Sequence, residues 1–222
     1  MSLDVQDLRF AHPGSRRGLH LPEFSLAQGE TLAVVGPSGS GKTTFLNLLA
    51  ALIRPDSGTI RINDIAVEAL GARQAQAYRS RSVGYIFQDF GLLDYLDARD
   101  NILHPFRIAR GRRVSPEVRR TVASLATELG IAEQLRQRPA QLSQGERQRV
   151  AICRAVATDP TVLLADEPTG NLDPETAEQI MEVLFAARAR LGATLVMVTH
   201  DHALLDRFDR VLDFRDLWGD WA

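Results

Sequence analysis

What this chain lacks narrows it first. Its 222 residues include one cysteine, Cys153, so no internal disulfide can form, which fits a reducing compartment. No apolar stretch approaches the roughly 18–20 residues that a membrane-spanning helix requires. The first residues, Met-Ser-Leu-Asp-Val-Gln-Asp, carry neither the basic nor the apolar region of a signal peptide. The expectation is a soluble chain whose membrane role, if it has one, runs through a partner. A formal net charge of -2 removes any global electrostatic reason to bind nucleic acid, and none is expected. Internal repeats and low-complexity segments are absent as well. With 45% hydrophobic residues, the length suits one large α/β domain, or a core with a sub-lobe, and not several independent domains.

What is present centres on Val34-Val35-Gly36-Pro37-Ser38-Gly39-Ser40-Gly41-Lys42-Thr43-Thr44, which fits G-x-x-x-x-G-K-[ST] over residues 36–43. An apolar run (31–35) precedes it, and a helical pattern follows with Phe45, Leu46, Leu48, Leu49, Leu52 and Ile53 along one face. Gly36, Gly39 and Gly41 let the backbone curl until successive N–H groups face one anion. The helix starting near Lys42 adds its positive end at the same point. Lys42 is expected to reach the β- and γ-phosphates of a nucleotide, and the Thr43 hydroxyl to hold Mg²⁺. A Gly-rich surface turn is the plainer alternative for this motif in isolation.

Elsewhere the pattern alternates strand and helix. Residues 3–10 and 19–26 read as edge strands of an antiparallel layer, joined by a His12-Pro13-Gly14 turn. Pro55-Asp56-Ser57-Gly58 is a turn signal, with a short strand over 58–62 and another turn at Asn63-Asp64. A helix is expected over 72–81 and a buried strand over 83–87, ending at Gln88. From 89 to 160 helical patterns dominate, over 99–110, 116–129 and 131–137, and this region reads as a helical lobe inserted in the α/β core. Apolar strands at 161–165 and 194–198 follow, separated by a helix that Asp173 caps and that runs from Pro174 to about residue 191. Such alternation implies a parallel sheet buried on both faces. The division expected is therefore a nucleotide-binding core (1–88 and 161–222) and a helical subdomain (89–160).

Val162-Leu163-Leu164-Ala165-Asp166-Glu167 is an apolar strand ending in two acids. Ligands gather beyond the carboxyl ends of parallel strands, which places both acids near the phosphate loop. Asp166 is assigned to Mg²⁺. Glu167 is assigned the general-base role on the attacking water, an effect of about 10²–10⁴-fold. Pro168 is expected to hold Glu167 extended. Leu142-Ser143-Gln144-Gly145-Glu146 has two readings. Locally it is a capping box, Ser143 with Glu146, opening a helix with Val150, Ile152, Ala155 and Val156 inward. Alternatively, this helix start binds the γ-phosphate held by a second subunit.

Taken together, these motifs resemble the nucleotide-binding subunit of an ABC transporter over nearly the whole length. The resemblance gives Gly36–Thr43 as Walker A, Gln88 as the Q-loop, Ser143 to Glu146 as the signature, Asp166 and Glu167 as Walker B and base, Asn171-Leu172-Asp173 as the D-loop and His200 as the switch. Asp166-Glu167-Pro168-Thr169-Gly170-Asn171-Leu172-Asp173 is similar in particular to the LolD, MacB and FtsE-like branch, as is Gly84-Tyr85-Ile86-Phe87-Gln88 with Leu92-Leu93. What the resemblance implies is a P-loop ATPase that hydrolyses ATP with Mg²⁺ as a head-to-tail dimer of two copies. Each ATP is then sandwiched between one copy's residues 36–44 and the other's Ser143 and Gly145. Gln88 is implied to touch Mg²⁺ and water, and His200 the γ-phosphate and Glu167. An integral-membrane permease of the FtsX or MacB kind is implied as partner, contacted near residues 88–93, and with it a location on the cytoplasmic face of the membrane.

The chain also departs from the family. Gln144 and Glu146 stand where a Gly and a Gln are usual, and Glu146 puts an anion near phosphate, partly offset by Arg147 and Arg149. Alignment gives His12, with Phe10 two residues before it, where a Tyr usually stacks on adenine. The tail after Val211 lacks the usual Asp-Gly hairpin, and its two tryptophans are expected to pack on the core rather than touch a partner. The cluster Arg107, Arg110, Arg112, Arg113, Arg119 and Arg120 reads as a solvated face, with lipid or permease contact as the weaker option. Asp201 and His202 are expected to be solvated. The alternatives to a transporter subunit are a soluble ABC ATPase of repair or translation, or a P-loop kinase of small molecules.

Overall fold

The computed structural model describes residues 2–15, 17–109, 113–170, 172–215 and 217–220. Its elements run β1 (Ser2–Ala11), β2 (Arg17–Ala27), β3 (Thr31–Val35), α1 (Lys42–Leu49), β4 (Ser57–Ile62), β5 (Ile65–Ala66), α2 (Ala72–Ser82), β6 (Val83–Ile86), α3 (Ala98–Ile108), α4 (Pro116–Glu128), α5 (Gln144–Val156), β7 (Val162–Asp166), α6 (Pro174–Leu191), β8 (Thr194–Val198), β9 (Arg210–Asp213) and β10 (Trp218–Asp220). Short 3-10 turns occupy Glu133–Arg136, Pro139–Gln141 and His202–Arg207.

Two sheets form. One is antiparallel, in the order β10-β2-β1-β4-β5, and the other parallel, in the order β6-β7-β8-β3-β9. β1 and β2 are thus both interior strands, each flanked on two sides, and not edges. The loose alternation of β1 has a cause: Leu3 and Val5 are buried, then Leu8 and Phe10, one position out of step. The shift falls at Asp7, where φ is +42° and the β1–β4 register slips between Gln6 and Arg9. Gly58 accommodates that bulge, since a Cβ there would meet the Asp7 carbonyl oxygen at 2.2 Å.

Strands β3, β7 and β8 are buried along their whole length, so each divides its side chains between two faces. Leu32, Val34, Val162, Leu164, Val196 and Val198 join α1 and the antiparallel layer in one core. Ala33, Leu163, Ala165, Leu195 and Met197 join α3, α4, α5 and α6 in the other. Helix α5 lies close on the sheet because Gly84 of β6 leaves room for it. A Cβ on Gly84 would fall 2.5 Å from the Ala155 carbonyl oxygen and 2.7 Å from Leu163 Cδ2.

Several expectations shift. Helix α1 stops at Leu49 because Ala51 takes a left-handed φ of +51°, leaving Leu52 46% exposed instead of on the buried face. The 131–137 segment is a 3-10 turn over Glu133–Arg136 rather than an α-helix. The tail returns to the antiparallel sheet: β10 pairs with β2, Trp218 opposite Leu19. Arg107 is ion-paired to Asp100 and Arg120 to Glu117, the arrangement of a solvated face; Arg110 and Arg112 lie outside the described residues. No helix among the described residues is long and apolar enough to cross a membrane.

The seating of α5 yields a prediction. Gly84→Ala should destabilise the fold by about 1–3 kcal/mol, the typical effect of overpacking, read as a lower urea midpoint at unchanged m-value. An unaltered midpoint would mean that α5 can retreat from the sheet freely.

Candidate functional site

The chain turns from β3 into α1 through Gly36, Gly39 and Gly41, with φ of +140°, +76° and +88°. Gly41 is the N-cap of α1 and offers no side chain to the first helical N–H groups, so those donors stay open toward the loop. Ser40 Oγ is buried, 5% of the residue being exposed, and no group among the described residues hydrogen-bonds it. Lys42 Nζ donates to the carbonyls of Gly36 (2.8 Å) and Pro37 (2.9 Å), holding a cation at the mouth of the loop. Open donors, an orphaned hydroxyl and a lysine ammonium together suit an oxyanion.

A cleft of about 640 Å³ opens over this loop. It is lined by Gly36, Ser38, Gly39, Ser40, Gly41, Lys42, Thr43 and Thr44, and by four side chains expected from sequence: His12, Gln88, Glu167 and His200. The twelve come from both sheets and follow five separate strands, β1, β3, β6, β7 and β8. Trp218 completes the lining, and it was not foreseen as a site residue. Its ring packs partly on the core, as expected of the tail, and partly faces the cleft.

Asp166 ends β7 beside this loop. Burial pushes its carboxyl above the ordinary carboxylate range, the Thr43 hydroxyl bonded to it opposes that, Glu167 raises it further and Lys42 lowers it. Glu167 follows at φ +46°, so it is left-handed and not held extended by Pro168. Its N–H is bonded to the Val198 carbonyl (3.1 Å) and its own carbonyl accepts from Gly170 N–H (3.1 Å), which folds the chain back at the sheet's end. A non-glycine residue in this region is strained, and such strain collects at functional positions. The turn sets Glu167 Oε2 3.2 Å from His200 Nδ1. Gln88 lies exposed just beyond β6 on the rim.

Ser143 and Gly145 do not line the cleft. The capping box forms as read: Glu146 N–H donates to Ser143 Oγ (3.2 Å) and Ser143 N–H to Glu146 Oε2 (2.8 Å). That backbone bond, with the Gln134 amide (2.8 Å), holds the Glu146 carboxyl below its usual range. Arg147 and Arg149 make no ion pair with Glu146 among the described residues. Arg147 bonds the Leu142 carbonyl, while Arg149 bonds the Leu129 carbonyl and Gln179. Asp173 caps α6 through Thr176 N–H (3.0 Å); Asn171 lies outside the described residues. Asp201 and His202 are exposed, though Asp201 caps the 3-10 turn through Ala203 N–H.

The profile of the ABC transporter family matches residues 19–170. The chain belongs to the ABC transporter family. It is 44% identical over 200 residues to the lipoprotein-releasing system ATP-binding protein LolD 1 of Rhodopirellula baltica, covering 90% of this chain and 85% of that one. It is 45% identical to LolD of Maricaulis maris, covering 87% and 83%. The macrolide export protein MacB of Syntrophobacter fumaroxidans is 40% identical over 90% of this chain, which spans 28% of that longer protein. Among solved structures, a dimeric post-hydrolysis state of the ATP-binding cassette MJ0796 bound to ADP and Pi superposes with a TM-score of 0.84 at 32% identity, covering 96% and 94% of the two chains. The P-loop NTPase fold expected from sequence is therefore the fold observed, and the chain is an ATP-hydrolysing cassette.

In this ABC cassette the buried Asp166 carboxylate makes a checkable linkage. Its raised pKa means that ionisation opposes folding at pH above the unfolded carboxylate value and ceases to do so in acid, where both states are protonated. Asp166→Asn should therefore raise the melting temperature of the nucleotide-free protein near pH 7, with a gain that shrinks as the pH is lowered. A melting temperature that falls equally at both pH values would show that the carboxylate is held by partners which outweigh its desolvation.

Proposed function

We propose that this cassette hydrolyses ATP as a head-to-tail pair of identical chains and drives a permease of the lipoprotein-release or macrolide-export kind. One observation carries the reading: the cleft gathers the phosphate loop, Lys42, Gln88, Glu167 and His200, with Asp166 bonded to Thr43 beside them, while Ser143 and Gly145 of the same chain lie away from it. A single copy thus has the loop side of a phosphate site and, elsewhere, an open capped helix start that a second copy can use.

The roles follow from the geometry. The backbone donors of 36–44, with Pro37 shaping the turn, hold the phosphates, and the Ser40 hydroxyl gains the partner it lacks. Lys42 exchanges two carbonyls for phosphate oxygens. Thr43, Asp166 and Gln88 are the donors for Mg²⁺. One carboxylate with a hydroxyl and an amide, the phosphates supplying the rest, is a donor set that suits this ion. When bound, Mg²⁺ neutralises charge on the β- and γ-phosphates. Glu167 takes the proton of the attacking water, and ATP and water yield ADP and phosphate. His200, 3.2 Å from it, keeps its carboxylate aimed. Ser143 and Gly145 of the second copy add donors on the far side of the γ-phosphate. Residues 89–160 act as the helical subdomain presenting them, against a core of 1–88 and 161–222.

The permease side has support in an apolar groove of about 560 Å³ directly beyond Gln88. Phe87, Gly91, Leu93, Pro105 and Ile108 line it, and Phe87 and Ile108 are exposed large hydrophobic residues. Arg154 fixes its floor by donating to the carbonyls of Phe90 and Gly91. Through that partner the cassette sits at the cytoplasmic face of the membrane. The names of its LolD and MacB relatives favour this branch over a soluble ABC ATPase.

Two variants test the assignment. Glu167→Gln should keep ATP binding, slow phosphate release about 10²–10⁴-fold and trap a dimer visible by light scattering; wild-type turnover would remove Glu167 from the base role. Ser143→Ala should leave ATP affinity of the monomer unchanged and lower kcat about 10²–10³-fold. Equal loss of both would place Ser143 in the wrong half of the site.

A further inference from the structure

The nucleotide cleft has an aromatic wall supplied by the end of the chain. Trp218 opens β10 and is paired with Leu19, and His20 N–H donates to the neighbouring Leu217 carbonyl (2.8 Å), so backbone bonds fix the strand that carries the ring. The benzo edge of the indole lies against Gly41. A Cβ at Gly41 would fall 2.3 Å from Cε3 and 2.6 Å from Cζ3 of Trp218, so the helix cap and the ring occupy their places only because residue 41 has no side chain.

The other aromatic groups near the loop are placed differently. Phe10 is 7% exposed and meets His12 edge-on, with centroids 5.0 Å apart at 88°, so it presents no face to the cleft. His12 is tied by its edge to the phosphate end, Nε2 lying 3.4 Å from Thr44 Oγ1. The rings of His12 and Trp218 are 6.3 Å apart and tilted by 48°, too open to stack on each other. Among the described lining residues, Trp218 is the one with a large π-surface.

We propose that Trp218 is the base-binding residue of this cassette: the purine of the nucleotide stacks on its indole, with His12 bordering the sugar–phosphate side. The proposal rests on the ATPase reading and adds to it the place of the base, assigning to the C-terminal strand the stacking face that Phe10 does not present and that the smaller, Thr44-bonded His12 ring presents less well. Removing an aromatic platform from under a stacked base typically weakens binding about 5- to 150-fold.

The chain has two tryptophans, so a Trp221→Phe background leaves Trp218 as the sole emitter. In that background, ATP and inorganic tripolyphosphate are titrated with Mg²⁺, following tryptophan emission and heat of binding. ATP is expected to quench Trp218, and tripolyphosphate to bind without comparable quenching. Trp218→Ala should weaken ATP within the range above and leave tripolyphosphate affinity unchanged, and Trp218→Phe should restore most of the loss. Unchanged or tighter ATP binding by Trp218→Ala overturns the proposal, as does equal weakening of both ligands, which marks a distorted loop. If Trp218→Ala does not fold, the emission titration decides, and absence of an ATP-specific quench overturns it. Failure of the unsubstituted chain to bind either ligand would sink the phosphate-site reading itself, a result distinguishable from loss of the base contact alone.

Discussion

Everything at the cleft depends on how the chain reverses between β3 and α1. Three residues with positive φ and a helix cap without a side chain leave a ring of N–H donors unmatched, and the nearest cation, Lys42, is bonded to the carbonyls of the same loop. Water can satisfy such donors, but a multivalent oxyanion satisfies them together and also engages the lysine. The loop is therefore built in advance for phosphate, and the buried, unpartnered Ser40 hydroxyl belongs to the same preparation.

The parallel sheet turns this local device into a site. Each of β3, β7 and β8 is buried on both faces, which fixes its register against helices on one side and the antiparallel layer on the other. Their carboxyl ends consequently converge, and Asp166, the Glu167–His200 pair and Gln88 arrive beside the loop from sequence positions as much as 164 apart (36 against 200). The strained backbone at Glu167 shows how firmly this convergence is imposed. A carboxylate on a left-handed residue persists because bonds to Val198 and from Gly170 hold the turn from both sides.

Helix α5 stands apart from that convergence. Gly84 seats its far end on the sheet, while its capped start carries Ser143 and Gly145 elsewhere on the surface. Under the proposed head-to-tail pairing, that helix start is free to meet the cleft of a second copy, which would make turnover conditional on the pair. On the proposed reading, the apolar groove beside Gln88 is where a membrane partner would sense that closure.

Much of this was written in local spacing. The phosphate loop, the two acids closing an apolar strand, the capping box and the alternation of strand and helix are short-range patterns, because their physics acts within a few residues. Local rules also misled where distant bonds intervened. Pro168 suggests an extended Glu167, yet hydrogen bonding to β8 turns it left-handed. Leu52 continues a helical face that Ala51 ends. Trp218 marks the sharpest boundary. The sequence alone determined that this chain binds a nucleotide's phosphates, since an anion nest is encoded in eight consecutive residues. Only the tertiary structure decided which ring faces the cleft beside it, since that follows from pairing β10 with β2 across nearly two hundred residues.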